Sequence, residues 1–250
     1  MQFTQQSNSS LDHHSMTRRF TLVRVKFLMP LRALVFDFDG TMLDTETPEF
    51  ESWQTIYREH GAELALSDWG RGIGTWGAFD PWHDLETKYG QKLEQERIAR
   101  LHHTRVRDAI AAAHLLPGVR ELLEAARDAG LKLAIASSSN REWVEGWAQK
   151  LGVLEYFQAT AVQDDVLRVK PDPALYILAC EKLGVQPYEA VALEDSANGA
   201  RAALAAGLRC VVIPNPVTRT LEFPSGVIKL ETLEGVTLEA LSTMLAAPLH

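Results

Sequence analysis

The stretch Ala33-Leu-Val-Phe-Asp-Phe-Asp-Gly-Thr-Met-Leu-Asp44 sets two carboxylates, Asp37 and Asp39, one residue apart at the end of an apolar run. Four apolar residues without alternation, stopped by turn chemistry at Gly40, predict a short strand buried on both faces. Two anions so close repel, and burial makes ionising both of them harder. The rest of the chain must therefore supply compensating charge, and the fold must bring it to this strand end.

Working outward, similar apolar runs occur at "LKLAIA" (131–136), "ATAV" (159–162), "AVALE" (190–194) and "LRCVVI" (208–213). Helical patterns lie between them: "PGVRELLEAARDAG" (117–130), "PALYILACEKLG" (173–184) and "SANGARAALAAG" (196–207), each closing on a glycine. Alternating strand and helix predict an α/β fold with a five-stranded parallel sheet. The connection after the first strand breaks the rhythm, because some 93 residues separate Asp37 from Leu131. Its patterns are helical, at 48–61 and 94–114, so a helical domain over 45–114 is expected to be inserted into a core of 29–44 and 115–250. The tail 237–245 predicts a final amphipathic helix. Residues 1–28 are polar and without period, and Met29 directly precedes the first apolar run. The folded domain is expected to begin near Met29, with 1–28 a disordered or non-native extension.

In an open parallel sheet the ligand site lies at the carboxyl ends of the strands, near the point where strand order reverses. That rule gathers Asp37 and Asp39, Ser137, Ser138 and Ser139, the loop before Lys170, and Glu194 with Asp195 on one rim. Four carboxylates there call for a cation, and all-oxygen ligation suits Mg²⁺ better than zinc. A divalent ion would also answer the repulsion between Asp37 and Asp39. Asp37, at the strand terminus, is the better-fixed nucleophile toward phosphorus. Asp39, already in the turn, can carry a proton to a leaving group and later take one from water. Gly40 permits the sharp turn, Thr41 and Ser137 offer hydroxyls to phosphate oxygens, and Lys170 neutralises charge as it builds. A calcium loop is the competing reading of D-x-D-G, but Thr41 and Pro48 occupy the third ligand position and the twelfth, where a bidentate glutamate is required.

The segments "DFDGT" (37–41), "ASSSN" (136–140), "VKPDP" (169–173) and "LEDSANG" (193–199), in that order, resemble the four motifs of the haloacid dehalogenase-like hydrolase superfamily. The resemblance covers about residues 31–215 and is greatest to the phosphatase and phosphomutase branch. It implies a doubly wound, Rossmann-like core with a helical cap domain, and phosphoryl transfer through an aspartyl-phosphate. It implies Asp37 as nucleophile and Mg²⁺ ligand, and Asp39 as general acid/base lending its backbone carbonyl to the metal. Ser137 and Lys170 match the phosphate-binding hydroxyl and amine, and Glu194 and Asp195 match the acidic metal-binding motif. Ser138 and Asn140 are further candidates for phosphate or substrate contact. On the cap, Arg71 could meet a second anionic group, while Trp69 and Trp76 could contact substrate or pack between helices. The histidine that β-phosphoglucomutases carry after the first motif is replaced by Pro48 and Glu49, which favours hydrolysis over a sugar phosphomutase. A non-catalytic regulator that binds phosphometabolites is the alternative from another class.

The net charge of −8, from 33 acidic and 25 basic residues, argues against broad binding of nucleic acid or anionic membrane. No run approaches the ~20 apolar residues of a membrane-spanning helix. Cys180 and Cys210 sit among apolar neighbours without metal or redox spacing, which predicts reduced core residues and a cytoplasmic protein. The expected partner is a small phosphorylated metabolite, such as a sugar phosphate or phosphoglycolate, bound by a monomer or homodimer.

Overall fold

The computed structural model describes residues 31–75 and 77–246; the expected extension over 1–28 and Trp76 lie outside the described residues. Strand β1 (Ala33–Phe36) is completely buried and is flanked on both sides by parallel partners, β2 (Lys132–Ala136) and β4 (Ala190–Glu194). Beyond β2 lies β3 (Ala159–Ala161), and beyond β4 lies β5 (Arg209–Val212). The sheet has six strands rather than the expected five, in the order β3-β2-β1-β4-β5-β6. The added strand, β6 (Val227–Lys229), pairs with β5 at the edge. Three residues ending in an exposed lysine form too short an apolar run to register as a strand by pattern alone.

Side chains alternate across β1, so Leu34 and Phe36 enter one apolar layer while Ala33 and Val35 enter the other. Helices α5 (Val119–Asp128), α6 (Arg141–Lys150) and α9 (Leu238–Ala246) cover the first face. Helices α7 (Ala174–Leu183) and α8 (Ala197–Ala205) cover the second, where alanines at 200, 202 and 203 let α8 lie close to the sheet. Register decides what happens at the rim. Phe36 stands beside Ile135 and Leu193, so the chain emerges at Asp37, Ser137 and Glu194 at nearly one level. The chain runs from β1 outward to β3 and then returns to β4 on the other side of β1, which makes this end the switch point of the sheet.

Between β1 and β2 the chain forms α1 (Glu46–Glu59), α2 (Leu66–Trp69), α3 (Pro81–Tyr89) and α4 (Gln95–Ile110). They share a separate apolar cluster built on Trp53, Ile56, Tyr57, Leu64, Leu85 and Ile98. His102 fastens α4 to α1, with Nδ1 2.9 Å from Ser52 Oγ and Nε2 2.9 Å from Glu49 Oε2. The pattern reading did not anticipate α2 and α3, although α3 carries start signals: the Asp80 side chain accepts from the Trp82 and His83 N–H groups, and Pro81 takes the first position.

The loop after α2 reaches back to the core. Ser138 Oγ donates to the Gly74 carbonyl at 3.0 Å, and Asn198 Nδ2 donates to the carbonyls of Arg71 and Ile73 at 3.2 and 2.8 Å. Gly74 has φ +73°, and a Cβ there would lie 2.3 Å from Ser196 Oγ. The backbone can approach this closely because that residue has no side chain. No helix among the described residues is long and apolar enough to cross a membrane.

Candidate active site

The rim of the sheet brings the acids together as the strand-end rule requires. One carboxylate oxygen from each of Asp37, Glu194 and Asp195 lies within 4.8 Å of the others, and all three residues are buried. The turn after β1 is what lets them converge. Gly40 has φ +82°, and a Cβ on it would sit 2.2 Å from Asp195 Oδ2 and 2.8 Å from Asn215 Nδ2. Any side chain at this position would push the acidic loop away from β1.

Lys170 is the compensating charge. Its Nζ lies 2.5 Å from Asp37 Oδ1 and 2.7 Å from Glu194 Oε1, with the side chain 1% exposed. Burial would lower the pKa of this ammonium, but Asp37 and Glu194 outweigh it and hold the group protonated. One cation does not balance three acids. Burial pushes the Asp37 carboxyl up to about 7 against the pull of Lys170. Burial followed by the charges of Asp37 and Glu194 raises Asp195 well above the usual carboxylate range.

The three acids are not equivalent. Glu194 Oε1 accepts from Lys170 and from the Tyr176 hydroxyl at 2.7 Å each, while Oε2 accepts from the Asp195 and Ser196 N–H groups and from Ser196 Oγ. Asp195 Oδ2 accepts from Asn215 Nδ2 at 2.7 Å. Asp37 Oδ2, in contrast, is buried with no hydrogen-bond partner, and so is Thr41 Oγ1. A buried carboxylate oxygen without a partner carries a desolvation cost that a bound cation removes. The cluster of Asp37, Glu194 and Asp195 carboxylates, one oxygen of it unpartnered, fits a hard, oxygen-ligated divalent ion.

Asp39 is held quite differently. Its Oδ1 accepts from Thr45 Oγ1 at 3.0 Å and from the Trp143 indole Nε1 at 2.9 Å. Its Oδ2 accepts from Ser139 Oγ at 2.6 Å and, at a long 3.4 Å, from Ser137 Oγ. All four donors are neutral, so two aspartates one residue apart occupy an ionic setting and a hydroxyl-rich one. The sequence reading found Ser137 but assigned no role to Thr45, Trp143, Tyr176 or Asn215. Ser139 follows from the strand-end rule as a rim residue, but its bond to Asp39 does not. Thr45 was within reach of motif reasoning, since it follows the first motif directly. Tyr176 sits in a largely apolar helix and Trp143 in an amphipathic one, and nothing in either local pattern marks a site.

The remaining candidates make other contacts. Asn140 caps α6, its side-chain oxygen accepting from the Trp143 N–H at 2.9 Å. Ser138 faces the helical insertion through its bond to Gly74. Arg71 is exposed, with its guanidinium 5.8 Å from the centre of the Phe79 ring. Trp69 packs between Phe50 and Phe79 at ring distances of 6.0 and 6.2 Å, as a packing residue does.

With this geometry in place, the comparisons are specific. A family model for haloacid dehalogenase-like hydrolases matches residues 31–207. YhcW of Bacillus subtilis, whose name places it provisionally among phosphatases, is 45% identical over 211 residues, covering 84% of this chain and 96% of that protein. The phosphorylated carbohydrates phosphatase of Thermotoga maritima is 32% identical over 181 residues, covering 71% of this chain and 82% of that protein. Among solved structures, a CbbY mutant from Rhodobacter sphaeroides in complex with xylulose-(1,5)-bisphosphate matches with TM-score 0.65 and 31% identity. That match covers 84% of this chain and 99% of the other. The chain belongs to the haloacid dehalogenase-like hydrolases. Within that family, both of these curated relatives carry phosphatase names.

Proposed function

We propose that this enzyme hydrolyses a small phosphorylated carbohydrate in a Mg²⁺-dependent reaction that passes through an aspartyl-phosphate on Asp37. The observation that carries this reading is the contrast at the end of β1. Asp37 has one oxygen on Lys170 and the other free of partners, whereas both oxygens of Asp39 are engaged by neutral donors. A nucleophile needs an uncommitted oxygen; a proton carrier needs a defined orientation.

The Asp37 carboxylate attacks phosphorus, and the bond from phosphorus to the ester oxygen breaks. Asp39 gives its proton to that oxygen, so the alcohol leaves neutral. Water then attacks the phosphorus of the aspartyl-phosphate while Asp39 takes back a proton, releasing phosphate and restoring the Asp37 carboxylate. Ser137 and Thr41 offer hydroxyls to the phosphoryl oxygens, and Lys170 carries positive charge to them. Asp37, the main-chain carbonyl of Asp39 and Asp195 would hold Mg²⁺, with Glu194 behind them. The ion supplies charge neutralisation for the transferring group. Residues 45–114 act as a cap that excludes water and sets specificity, with Ser138, Asn140 and Arg71 as contacts for the remainder of the substrate.

The carbohydrate class rests on the relatives, one named for phosphorylated carbohydrates and one crystallised with a sugar bisphosphate. The two buried, unpaired cysteines agree with a reducing, cytoplasmic setting. Screening mono- and bisphosphorylated sugars with Mg²⁺ and reading released phosphate tests the proposal. Turnover is expected to require the metal and to vanish in Asp37→Asn; turnover retained in that variant would sink it. With glucose 1-phosphate, free phosphate rather than glucose 6-phosphate is expected, because Glu49 at the start of α1 is tied to His102 and no histidine stands there.

A further inference from the structure

We infer that Trp143 is a positioning residue for Asp39, its indole N–H fixing the plane of the carboxyl group that carries the proton. The inference rests on the phosphatase reading above and concerns a residue outside the four motifs.

Trp143 differs in kind from the other donors around Asp39. Thr45, Ser137 and Ser139 present hydroxyls that rotate and can donate or accept, whereas an indole N–H donates only. Its 2.9 Å bond to Oδ1 therefore has a fixed direction. The indole fixes Oδ1, and Oδ2 is left facing the Ser137 and Ser139 hydroxyls. There the Ser139 hydroxyl, 2.6 Å away, can turn from donor to acceptor. The indole thus sets the plane of the carboxyl group, and Ser139 adapts.

Trp143 is itself held through both its main chain and its ring. Its backbone N–H is bound by the Asn140 side chain at the start of α6, and its ring stands edge-on to Trp147 at 5.8 Å. Lys150 lies 4.2 Å from the centre of the Trp147 ring. The buried side chains Val144 and Ala148 anchor α6 against the sheet, and this helix follows directly from the strand end that presents Ser137. A donor fixed on a rigid element restricts Asp39 to one carboxyl orientation better than three free hydroxyls can.

Trp143→Phe removes the donor and keeps a ring against Trp147. The informative quantity is kcat/KM, which covers only steps through cleavage of the ester bond. An alkyl phosphate needs its leaving oxygen protonated, while p-nitrophenyl phosphate expels a stable phenolate without help. General acid catalysis contributes about 10²–10⁴-fold, so misorienting the acid is expected to cost the best alkyl substrate about tenfold in kcat/KM and the aryl ester less than about twofold. Equal losses on the two esters, or none on the alkyl ester, overturn the proposal. A second measurement does not depend on turnover: the Trp143 indole N–H signal in ¹⁵N-labelled protein is expected to shift and exchange faster in Asp39→Ala. An unmoved signal also overturns it. A wild type inert toward all phosphate esters would count against the phosphatase reading instead, and the indole signal would then decide the positioning claim alone.

Discussion

Asn198, on the helix that follows the acidic motif, donates from Nδ2 to the main-chain carbonyl of Ile73 at 2.8 Å. A side chain of the catalytic rim therefore holds the backbone of the helical insertion, 125 positions away in sequence. Asn198→Ala removes this bond and the one to Arg71, each worth about 0.5–1.5 kcal/mol. A fall in kcat/KM of about tenfold is expected, with faster amide exchange confined to 70–77. Gly74→Ala should cost more, because its new Cβ would meet Ser196 and its backbone has φ +73°. Unchanged exchange in both variants would remove the latch from the account.

Lys170→Met leaves Asp37 and Glu194 buried without their cation. Breaking a buried pair by removing one partner typically costs about 3–5 kcal/mol, so the urea midpoint should drop markedly at pH 7 and phosphatase activity should disappear. Tyr176→Phe is the milder companion, since Glu194 Oε1 still has Lys170. A loss of about 1 kcal/mol is expected there.

The acid cluster also sets a pH dependence. Burial raises Asp37 from 3.8 to about 7, and Asp195 moves in the same direction. Between those two values the folded metal-free protein retains protons that the unfolded chain has released, so its stability falls as pH rises through that window. The Tm of the metal-free enzyme should be lower near pH 8 than at about pH 5. Added Mg²⁺ should restore more of it at the higher pH, where the acids are ionised. Equal stabilisation by Mg²⁺ at both values would contradict a site built from these carboxylates.

Asp39→Asn keeps the nucleophile and removes the proton carrier. An activated aryl phosphate should still phosphorylate Asp37, while attack by water slows by about 10²–10⁴-fold. Intact-protein mass spectrometry after mixing should find one added phosphoryl group, absent from the Asp37→Asn protein.

Much of this architecture was open to reading from the chain. Apolar runs bounded by glycine, and the interruption after the first strand, pointed to a parallel α/β core with a helical insertion, because buried strands must be apolar on both faces and crossovers must be helical. Two of the failures share a cause. The edge strand Val227–Lys229 is short and half-exposed, so burial imposed no pattern on it. Helix α2 spans four residues, too few for any period to emerge.

The site divides in the same way. Asp37, Asp39, Ser137, Lys170, Glu194 and Asp195 stand out as candidates by sequence alone, since each follows a strand end or sits in a motif whose residue types suit the chemistry. The candidate groups and the charges they can carry are legible there. Tertiary structure decided how those groups are occupied. It turned Glu194 into the anchor of Lys170 and Tyr176, left Asp37 Oδ2 without a partner, and brought the Trp143 indole to Asp39 across 104 positions. Direction and distance between side chains on different elements depend on strand register and helix placement, which local sequence does not encode.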